Sequence, residues 1–200
     1  VKSDIIKLSQ SGTQTVKFVD RTFNAKAERC NEILLFIKEN YGKSIPEGVC
    51  FHFEIAGDIL DEESIKILNS APKGSIQLEI GMQSFNEKTL AYINRKTNTA
   101  KLIENIKKLL VPGNLHIHID LIAGLPFEDI ESFEHSFDIG YNLRSNMLQL
   151  GFLKLLHGAE MRENFEKYPC EFSKTEVFLW KRLNNLCSGA NKIPIICTTP

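Results

Sequence analysis

Strand-like and helix-like segments alternate along most of this chain, and this alternation constrains the fold more than any other feature of the sequence. Each short segment with apolar residues at every second position is followed by a longer one with apolar residues at helical spacing. The predicted strands are Thr15–Asp20, Val49–Ala56, Ile76–Gln83, Leu115–Ile122, Met147–Leu153 and a short Ile193–Cys197. Between and after them, helices are predicted at Ala25–Tyr41, Asp61–Ala71, Glu87–Ile93, Thr99–Leu110, Asp129–Arg144, Glu160–Lys167 and Thr175–Ser188. Such alternation predicts an α/β fold whose parallel strands are joined by right-handed crossovers.

Polar residues on one face of the central strands indicate which α/β fold this is. Strands buried on both faces of a parallel sheet are usually apolar throughout. Here one face of three strands is polar, with His52 and Glu54, then Gln77, Glu79 and Gln83, then His116, His118 and Asp120. We therefore predict a partial, open (β/α) barrel, with helices on the outer face and a polar interior, because the strands are too few to close a (β/α)8 barrel.

The segment from Ser75 to Asn98 forms the centre of this prediction. Its strand ends at Gln83, and Ser84 or Asn86 is expected to cap the helix that follows. This arrangement places Gln83 at the C-terminal end of the strand, which is where parallel α/β folds bind their ligands.

Composition excludes several functional classes. The formal net charge of -1 gives no basic footprint for nucleic acid, and no apolar run is long enough to span a bilayer. The five cysteines form no CxxC or CxxxCxxC motif, so a local metal or iron–sulfur site is not predicted, and their odd, scattered pattern favours the cytoplasm. The first residue is Val1 rather than Met, so we expect an excised or processed piece of a longer protein.

The candidate functional residues each allow two interpretations. Glu54 and Asp120 lie among apolar neighbours and require a partner, which is either a ligand or cation in the barrel or a salt bridge to Arg95 or Lys154. Arg95 itself is either a bidentate ligand for a carboxylate or an ordinary surface residue.

The two histidines of the fourth strand and the turn that follows it also allow more than one interpretation. His116 and His118 share a strand face and are either metal ligands or satisfied interior histidines. The run DLIAGLP is explained by an ordinary βα connection that needs a glycine and a proline, without any functional role.

Several motifs, in the correct order, resemble those of radical SAM enzymes over residues 15 to about 165. The fourth-strand signature of that family is similar to GMQSFNEKTLAYINRKTN, most of all in the branch that includes oxygen-independent coproporphyrinogen III oxidase. The fifth-strand signature resembles DLIAGLPFED, the third FHFEIAGDILDEE and the sixth LGFLKLLHGAEMRE. The second-strand position holds FVDRTFN, which looks like the cobalamin-binding radical SAM subgroup.

This resemblance implies a fold and a set of binding residues. The predicted sheet would be strands two to six of a (β/α)6 core that binds S-adenosylmethionine. Glu54 would contact the amino or ribose end, Gln83 and Asp120 the ribose hydroxyls, and Arg95 the methionyl carboxylate. The backbone at Ile122, Gly124 and Leu153 would line the adenine. Asp20 and Arg21 replace the usual amino-group motif, which leaves that contact without an assigned residue.

The resemblance also implies what lies outside this chain. The family's CxxxCxxC loop, which binds a 4Fe–4S cluster, follows a first strand that would precede Val1. We therefore expect no catalytic or metal-ligating residues here. The complete enzyme would cleave S-adenosylmethionine to a 5′-deoxyadenosyl radical, while this chain alone would be inactive; cobalamin is a further cofactor that the subgroup implies.

Domain organisation and partners complete the expectations. We predict an N-terminal segment of unassigned structure at residues 1–14, the partial barrel at 15–168 and a helical extension at 169–200. The substrate, a small molecule or a macromolecule, is not predicted. The exposed edge strand at Thr15–Asp20 is expected to be covered by residues 1–12 or by a second copy of the chain. A metal-dependent hydrolase and a non-catalytic binding scaffold are the alternative functions.

Overall fold

The computed structural model describes residues 1–154, 158 and 160–164, together with the backbone of 195–198. The helices are α1 (Lys2–Ser9), α2 (Ala27–Asn40), α3 (Glu62–Asn69), α4 (Glu87–Tyr92), α5 (Thr99–Leu110), α6 (Ile130–Asn142) and α7 (Glu160–Glu163). The strands are β1 (Thr15–Lys17), β2 (Cys50–Ile55), β3 (Ile76–Gln83), β4 (His116–Ala123), β5 (Met147–Phe152) and β6 (Ile195–Thr198). Short 3-10 turns lie at Phe23–Ala25 and Gly57–Ile59.

The strands form one six-stranded sheet in the order β1-β2-β3-β4-β5-β6, the order in which they occur along the chain. The pairs β1–β2, β2–β3 and β5–β6 are parallel. The sheet is open rather than closed, which confirms the predicted α/β fold with a partial barrel.

Burial alternates along each central strand, as the sequence pattern predicts. In β3, Ile76, Leu78, Ile80 and Met82 are buried, whereas the four intervening residues are half-buried. Strands β2 and β4 show the same alternation, with Phe51, Phe53, Ile117 and Leu121 buried. Glu54, Gln83 and Asp120 therefore each lie at a half-buried position of their own strand, which is the parity that the sequence predicts.

The chain forms two compact units. The first consists of Val1–Gly81 and Thr97–Ile119; the second consists of Met82–Lys96 and the described residues from Asp120 onward. Within the second unit, Gly140 of α6 allows a close approach, because a Cβ there would lie 3.4 Å from the side chains of Leu121 and Leu148.

One local prediction is wrong, and two neighbouring features were not predicted. Residues 1–12, which the sequence leaves without structure, contain α1, whose Ile5 is buried. The first strand ends at Lys17 rather than Asp20. The side-chain amide of Asn24 exchanges two hydrogen bonds with the backbone of Ala56, at 2.8 and 2.9 Å, and so attaches the start of α2 to the end of β2.

The edge and terminal predictions have mixed outcomes. Strand β1 is an edge strand, and α1 contacts it, whereas a homodimer through this edge stays a prediction. The helix at Thr175–Ser188 and the end of Glu160–Lys167 lie outside the described residues, and the domain boundaries stay predictions. No helix among the described residues is long and apolar enough to cross a bilayer.

Candidate functional site

The half-buried face of the first unit carries a group of polar side chains that we call the polar cluster. Its members are Lys17, His52, Glu54, Gln77, Glu79, His116 and His118. Glu54 and Glu79 lie directly opposite each other on β2 and β3, and a pair of like charges in this register is unfavourable by itself. The Lys17 ammonium relieves this repulsion, because its Nζ atom lies 3.1 Å from Glu54 and 3.3 Å from Glu79. His52 Nε2 adds a contact of 2.8 Å to the same oxygen of Glu79.

These contacts set the protonation states within the polar cluster. The hydrogen bond to Glu54 raises the pKa of Lys17. Burial acts against ionisation of Glu79, but the Lys17 charge and the hydrogen bonds from Lys17 and His52 together hold the pKa of its carboxyl below the ordinary value. The Glu79 carboxyl is therefore ionised at neutral pH. The partner of Glu54 is Lys17, so the alternative that paired it with Arg95 or Lys154 is wrong.

The histidines of β4 complete the cluster. Burial lowers the pKa of both His116 and His118, and for His118 the charges of His116 and His52 lower it further. Gln77 lies 3.3 Å from His118, and the rings of His116 and His118 are 4.7 Å apart. Within the part of the chain that the structure describes, no three histidine, cysteine or acidic side chains are placed to hold a metal ion. The arrangement favours interior histidines and does not assemble the ligands of a hydrolase metal centre.

A strained turn ends β3 in the second unit. Gln83 has a φ of +67°, and the amide of Ser84 donates a 2.8 Å hydrogen bond to the carbonyl of Met82. This is a γ-turn with a positive φ at its central residue, the rarer and more strained of the two γ-turn forms. A left-handed conformation costs a residue with a side chain about 1–2 kcal/mol. Strain of this kind is concentrated at functional sites, and here it falls on the glutamine that the sequence singles out.

Helix α4 begins and ends with well-defined caps. Asn86 is its N-cap, and its side chain accepts hydrogen bonds from the amides of Lys88 and Thr89. At the other end Asn94 has a φ of +56°, and the amides of Asn94 and Arg95 donate to the carbonyls of Ala91 and Leu90. These bonds form a Schellman motif, with Asn94 in the left-handed position that favours glycine or asparagine. The motif fixes the backbone of Arg95, whose side chain is half-buried.

Strand β4 ends in an open glycine turn. Asp120 and Ile122 are half-buried on β4, and Gly124 follows with a φ of +87° and its backbone exposed. The amide of Leu153 donates a 2.9 Å hydrogen bond to the carbonyl of Ala123, which places Leu153 beside this turn. A Cβ at Gly124 would lie 4.0 Å from the Cβ of Leu153. The structure thus places Leu153 beside the turn at Gly124 at the end of β4, whereas the contact of this backbone with adenine stays a prediction.

Four hydrogen bonds, which we call the loop junction, join the turn after β3 and helix α4 to the loop after β4 and helix α6. The Ser84 hydroxyl donates to Glu128 Oε1 at 2.5 Å. The side-chain amide of Asn86 donates to the Phe127 carbonyl at 3.0 Å. The Thr89 hydroxyl donates to the Pro126 carbonyl at 2.9 Å, and the Phe85 amide donates to the Ser136 hydroxyl at 2.9 Å. The Thr89 bond is buried and the Ser84 and Phe85 bonds are partly buried, whereas the Asn86 bond is exposed to water. The loop junction holds the strained turn of Gln83 against the loop that begins at Gly124.

Sequence reasoning missed the loop junction, and above all Glu128 and Phe127. Burial raises the pKa of the Glu128 carboxyl to about 7, with a further increase from Asp129, against the opposing hydrogen bond from Ser84. Phe127 has a φ of +61° and remains 41% exposed, although Tyr92 packs against its ring at 4.6 Å and the Lys88 ammonium lies 4.3 Å above it. The available signal was the run FED directly after GLP, in which an aromatic and two acidic residues follow a tight turn.

The two cysteines whose side chains are described are not suited to iron. Burial raises the pKa of the Cys30 thiol to about 12, and it also raises the pKa of Cys50. Both are therefore thiols at neutral pH, whereas an iron–sulfur cluster binds thiolates that converge on one point.

The family model described as the radical SAM superfamily matches residues 2–139 of this chain. Among curated proteins, the chain is similar to the oxygen-independent coproporphyrinogen-III oxidase-like protein HemZ of Bacillus subtilis, at 32% identity over 111 residues. It is also similar to the heme chaperone HemW of B. subtilis, at 27% identity over 143 residues. These matches cover 56% and 63% of this chain, but only 22% and 36% of HemZ and HemW. The chain thus spans well under half the length of either relative.

Solved structures show the same fold. Coproporphyrinogen III oxidase (HemN) of Escherichia coli matches with a TM-score of 0.71 at 15% identity, over 94% of this chain and 44% of that one. The radical S-adenosylmethionine methyltransferase TsrM of Kitasatospora setae, solved with cobalamin and a [4Fe-4S] cluster, matches with a TM-score of 0.64 at 12% identity. That match covers 75% of this chain and 29% of TsrM. At these identities the structural likeness establishes the fold, and it agrees with the family match.

Proposed function

The chain belongs to the radical SAM superfamily, and from this membership we propose that it forms the S-adenosylmethionine-binding part of a longer radical SAM enzyme. The whole enzyme would use S-adenosylmethionine, bound at a 4Fe–4S cluster, as its source of a 5′-deoxyadenosyl radical. The residues of this chain would bind, orient and shield that molecule.

The strained turn at Gln83 carries the proposal. A left-handed glutamine at the C-terminal end of a parallel strand is costly, and the loop junction maintains it. The cost is explained if the side-chain amide is fixed in advance for a ligand, because hydrogen bonds made by a rigid group lose less entropy on binding. A ribose has vicinal hydroxyls that such an amide can bind. Asp120 and Arg95 would bind the remaining ribose hydroxyl and the methionyl carboxylate.

The exposed backbone at the end of β4 supports the assignment of this turn to the adenine ring. Gly124 leaves its backbone exposed, and the side chain of Leu153 lies close to the space that a Cβ there would occupy. Backbone groups around Ile122 and Gly124 could bind the edge of an adenine without a side chain in the way. Glu54 is assigned more weakly, because Lys17 already neutralises its carboxylate.

The described residues do not fit the cluster itself. Cys30 and Cys50 are protonated thiols, and no group of described residues converges on a metal ion. The family resemblance implies that the cluster ligands come from another part of the longer protein, and cobalamin would also bind elsewhere. The chain alone should take up no stoichiometric iron on anaerobic reconstitution, and it should release no 5′-deoxyadenosine with a reductant. Stoichiometric iron in the isolated chain would contradict this assignment.

Calorimetric titration of the full-length protein with S-adenosylmethionine tests the proposal directly. We expect Gln83→Ala to weaken binding by about 1 kcal/mol, the net value of one hydrogen bond, or roughly fivefold in Kd. Gln14→Ala is the matched control, because Gln14 is an exposed glutamine of the first unit. Equal affinities in the wild type and the Gln83 variant, or no binding by the wild type, would contradict the proposal.

A further inference from the structure

One carboxyl group lies inside the loop junction and is not accounted for by the proposed function. Glu128 directs Oε1 at the Ser84 hydroxyl, while its other oxygen, Oε2, is buried and has no hydrogen-bond partner among the described residues. A buried polar atom without a partner costs free energy, and the cost is much larger if the group is charged.

The hydrogen bonds around Ser84 locate the proton of this carboxyl. The Ser84 hydroxyl accepts from the backbone amide of Asn86 at 3.0 Å, and it donates its one proton to Glu128 Oε1. With Oε1 as the acceptor of the Ser84 bond, the neutral acid carries its proton on Oε2. Removing that proton would leave a charge on the buried oxygen. The Ser84 bond alone cannot compensate for this, since burial outweighs it in setting the pKa of Glu128.

Few other groups act on this carboxyl. Asp129 is adjacent in the chain and makes ionisation of Glu128 harder, while its own side chain caps α6 through the amide of Ser132. From α4, Lys88 faces the Phe127 ring, and Asn86 binds the Phe127 carbonyl. From α6, Ser136 accepts from the amide of Phe85. Among these neighbours, no cation is placed against Glu128.

We propose that Glu128 is a positioning residue for the Gln83 turn: as a neutral acid it keeps the loop junction closed, and as a carboxylate it loosens the junction and weakens S-adenosylmethionine binding. The ionised group must reach water to be solvated, and it can do so only by withdrawing from Ser84. Ser84 directly follows Gln83, so its release also frees the strained glutamine. The ligand part of this proposal rests on the proposed function, whereas the closing of the loop junction does not.

Residue-resolved amide hydrogen exchange across pH 5.5–8.5 in the full-length protein without ligand tests the closing. After correction for intrinsic exchange rates, we expect protection of the Ser84 and Phe85 amides to fall as pH rises through about 7 in the wild type. Glu128→Gln keeps an oxygen acceptor for Ser84 but cannot ionise, so its protection should not change with pH. Ser84→Ala should lower protection at every pH, and Glu131→Gln, an exposed glutamate of α6, should behave as the wild type.

The ligand part is tested by the ratio of Kd values for Glu128→Gln and wild type. S-adenosylmethionine carries its own titrating amino group, and the ratio at each pH cancels that contribution. At pH 8.5 we expect the wild type to bind about three- to tenfold more weakly than Glu128→Gln, which corresponds to the value of one hydrogen bond. At pH 6 the two proteins should bind equally well. Protection that does not depend on pH in the wild type would overturn the proposal. Protection that depends on pH in a protein that binds no S-adenosylmethionine would support the closing and refute the proposed function instead.

Discussion

The polar cluster and the loop junction are both built from polar side chains at the same sheet, and they use those side chains in opposite ways. In the polar cluster, Lys17 bridges the two glutamates, His52 contacts Glu79, and the backbone of β2 and β3 is regular. In the loop junction, the backbone is strained at Gln83 and Phe127, and Glu128 keeps an oxygen without a partner among the described residues. The first arrangement satisfies its own charges. The second retains backbone strain and a buried oxygen without a partner, and such features are typical of a ligand site.

Removing the Arg95 side chain should have the largest effect on the ligand. We expect Arg95→Ala in the full-length protein to weaken S-adenosylmethionine binding by about 1.5–3 kcal/mol, the value of a hydrogen bond to a charged group. The helix end itself should persist, because the Schellman motif of α4 uses backbone groups. Calorimetric titration measures the change, and Lys96→Ala, at an exposed neighbour, is the control. An unchanged Kd for Arg95→Ala would remove Arg95 from the site.

A glycine at position 83 should separate binding from stability. Glycine adopts the left-handed conformation without the cost that glutamine carries, so Gln83→Gly should leave the free energy of unfolding unchanged or raise it by up to about 1 kcal/mol. The same variant should bind S-adenosylmethionine about fivefold more weakly, since the amide is lost. Urea unfolding and titration report the two quantities. A clear loss of stability would mean that Gln83 contributes to packing, and the comparison with the polar cluster would then fail.

A fall in pH should destabilise the polar cluster, and a rise in pH toward neutral should destabilise the loop junction. The pKa of Glu79 is lowered in the folded protein, so its ion pairs stabilise above the ordinary carboxyl pKa of about 4.5 and are lost as pH falls through the lowered value. His118 has a lowered pKa as well, so stability also falls as pH drops below about 6.5. Glu128 has the opposite sign: its pKa is raised, and stability is lost as pH rises from about 4.5 through about 7.

Glu79→Gln tests the acid half of this prediction. The variant should lose less stability than the wild type between pH 6 and pH 4, by less than about 1 kcal/mol, because the cluster is partly exposed and its ion pairs are screened. Urea unfolding at each pH measures the difference, with Glu47→Gln, an exposed glutamate of the same unit, as the control. Identical pH profiles for all three proteins would show that the Glu79 contacts add nothing to stability.

Much of this molecule follows from periodicity and capping signals. The α/β class, the strand parity of Glu54, Gln83 and Asp120 and the cap Asn86 depend on local rules, and the structure confirms them. The pairing of Lys17 with Glu54 and the bond from Ser84 to Glu128 depend on which strands and loops become neighbours, which no local pattern specifies. The positive φ of Gln83 could not be predicted either, because a glutamine gives no sequence signal for a left-handed turn. The predicted contacts to S-adenosylmethionine stay predictions.

Amide hydrogen exchange of the full-length protein with and without S-adenosylmethionine tests the central claim most directly. The account predicts that ligand slows exchange most strongly in two segments of the second unit, from Gln83 to Arg95 and from Ile122 to Glu128, and changes little at Lys17 and His52 in the polar cluster. Slowing confined to the polar cluster, or no slowing in either segment of the second unit, would contradict it.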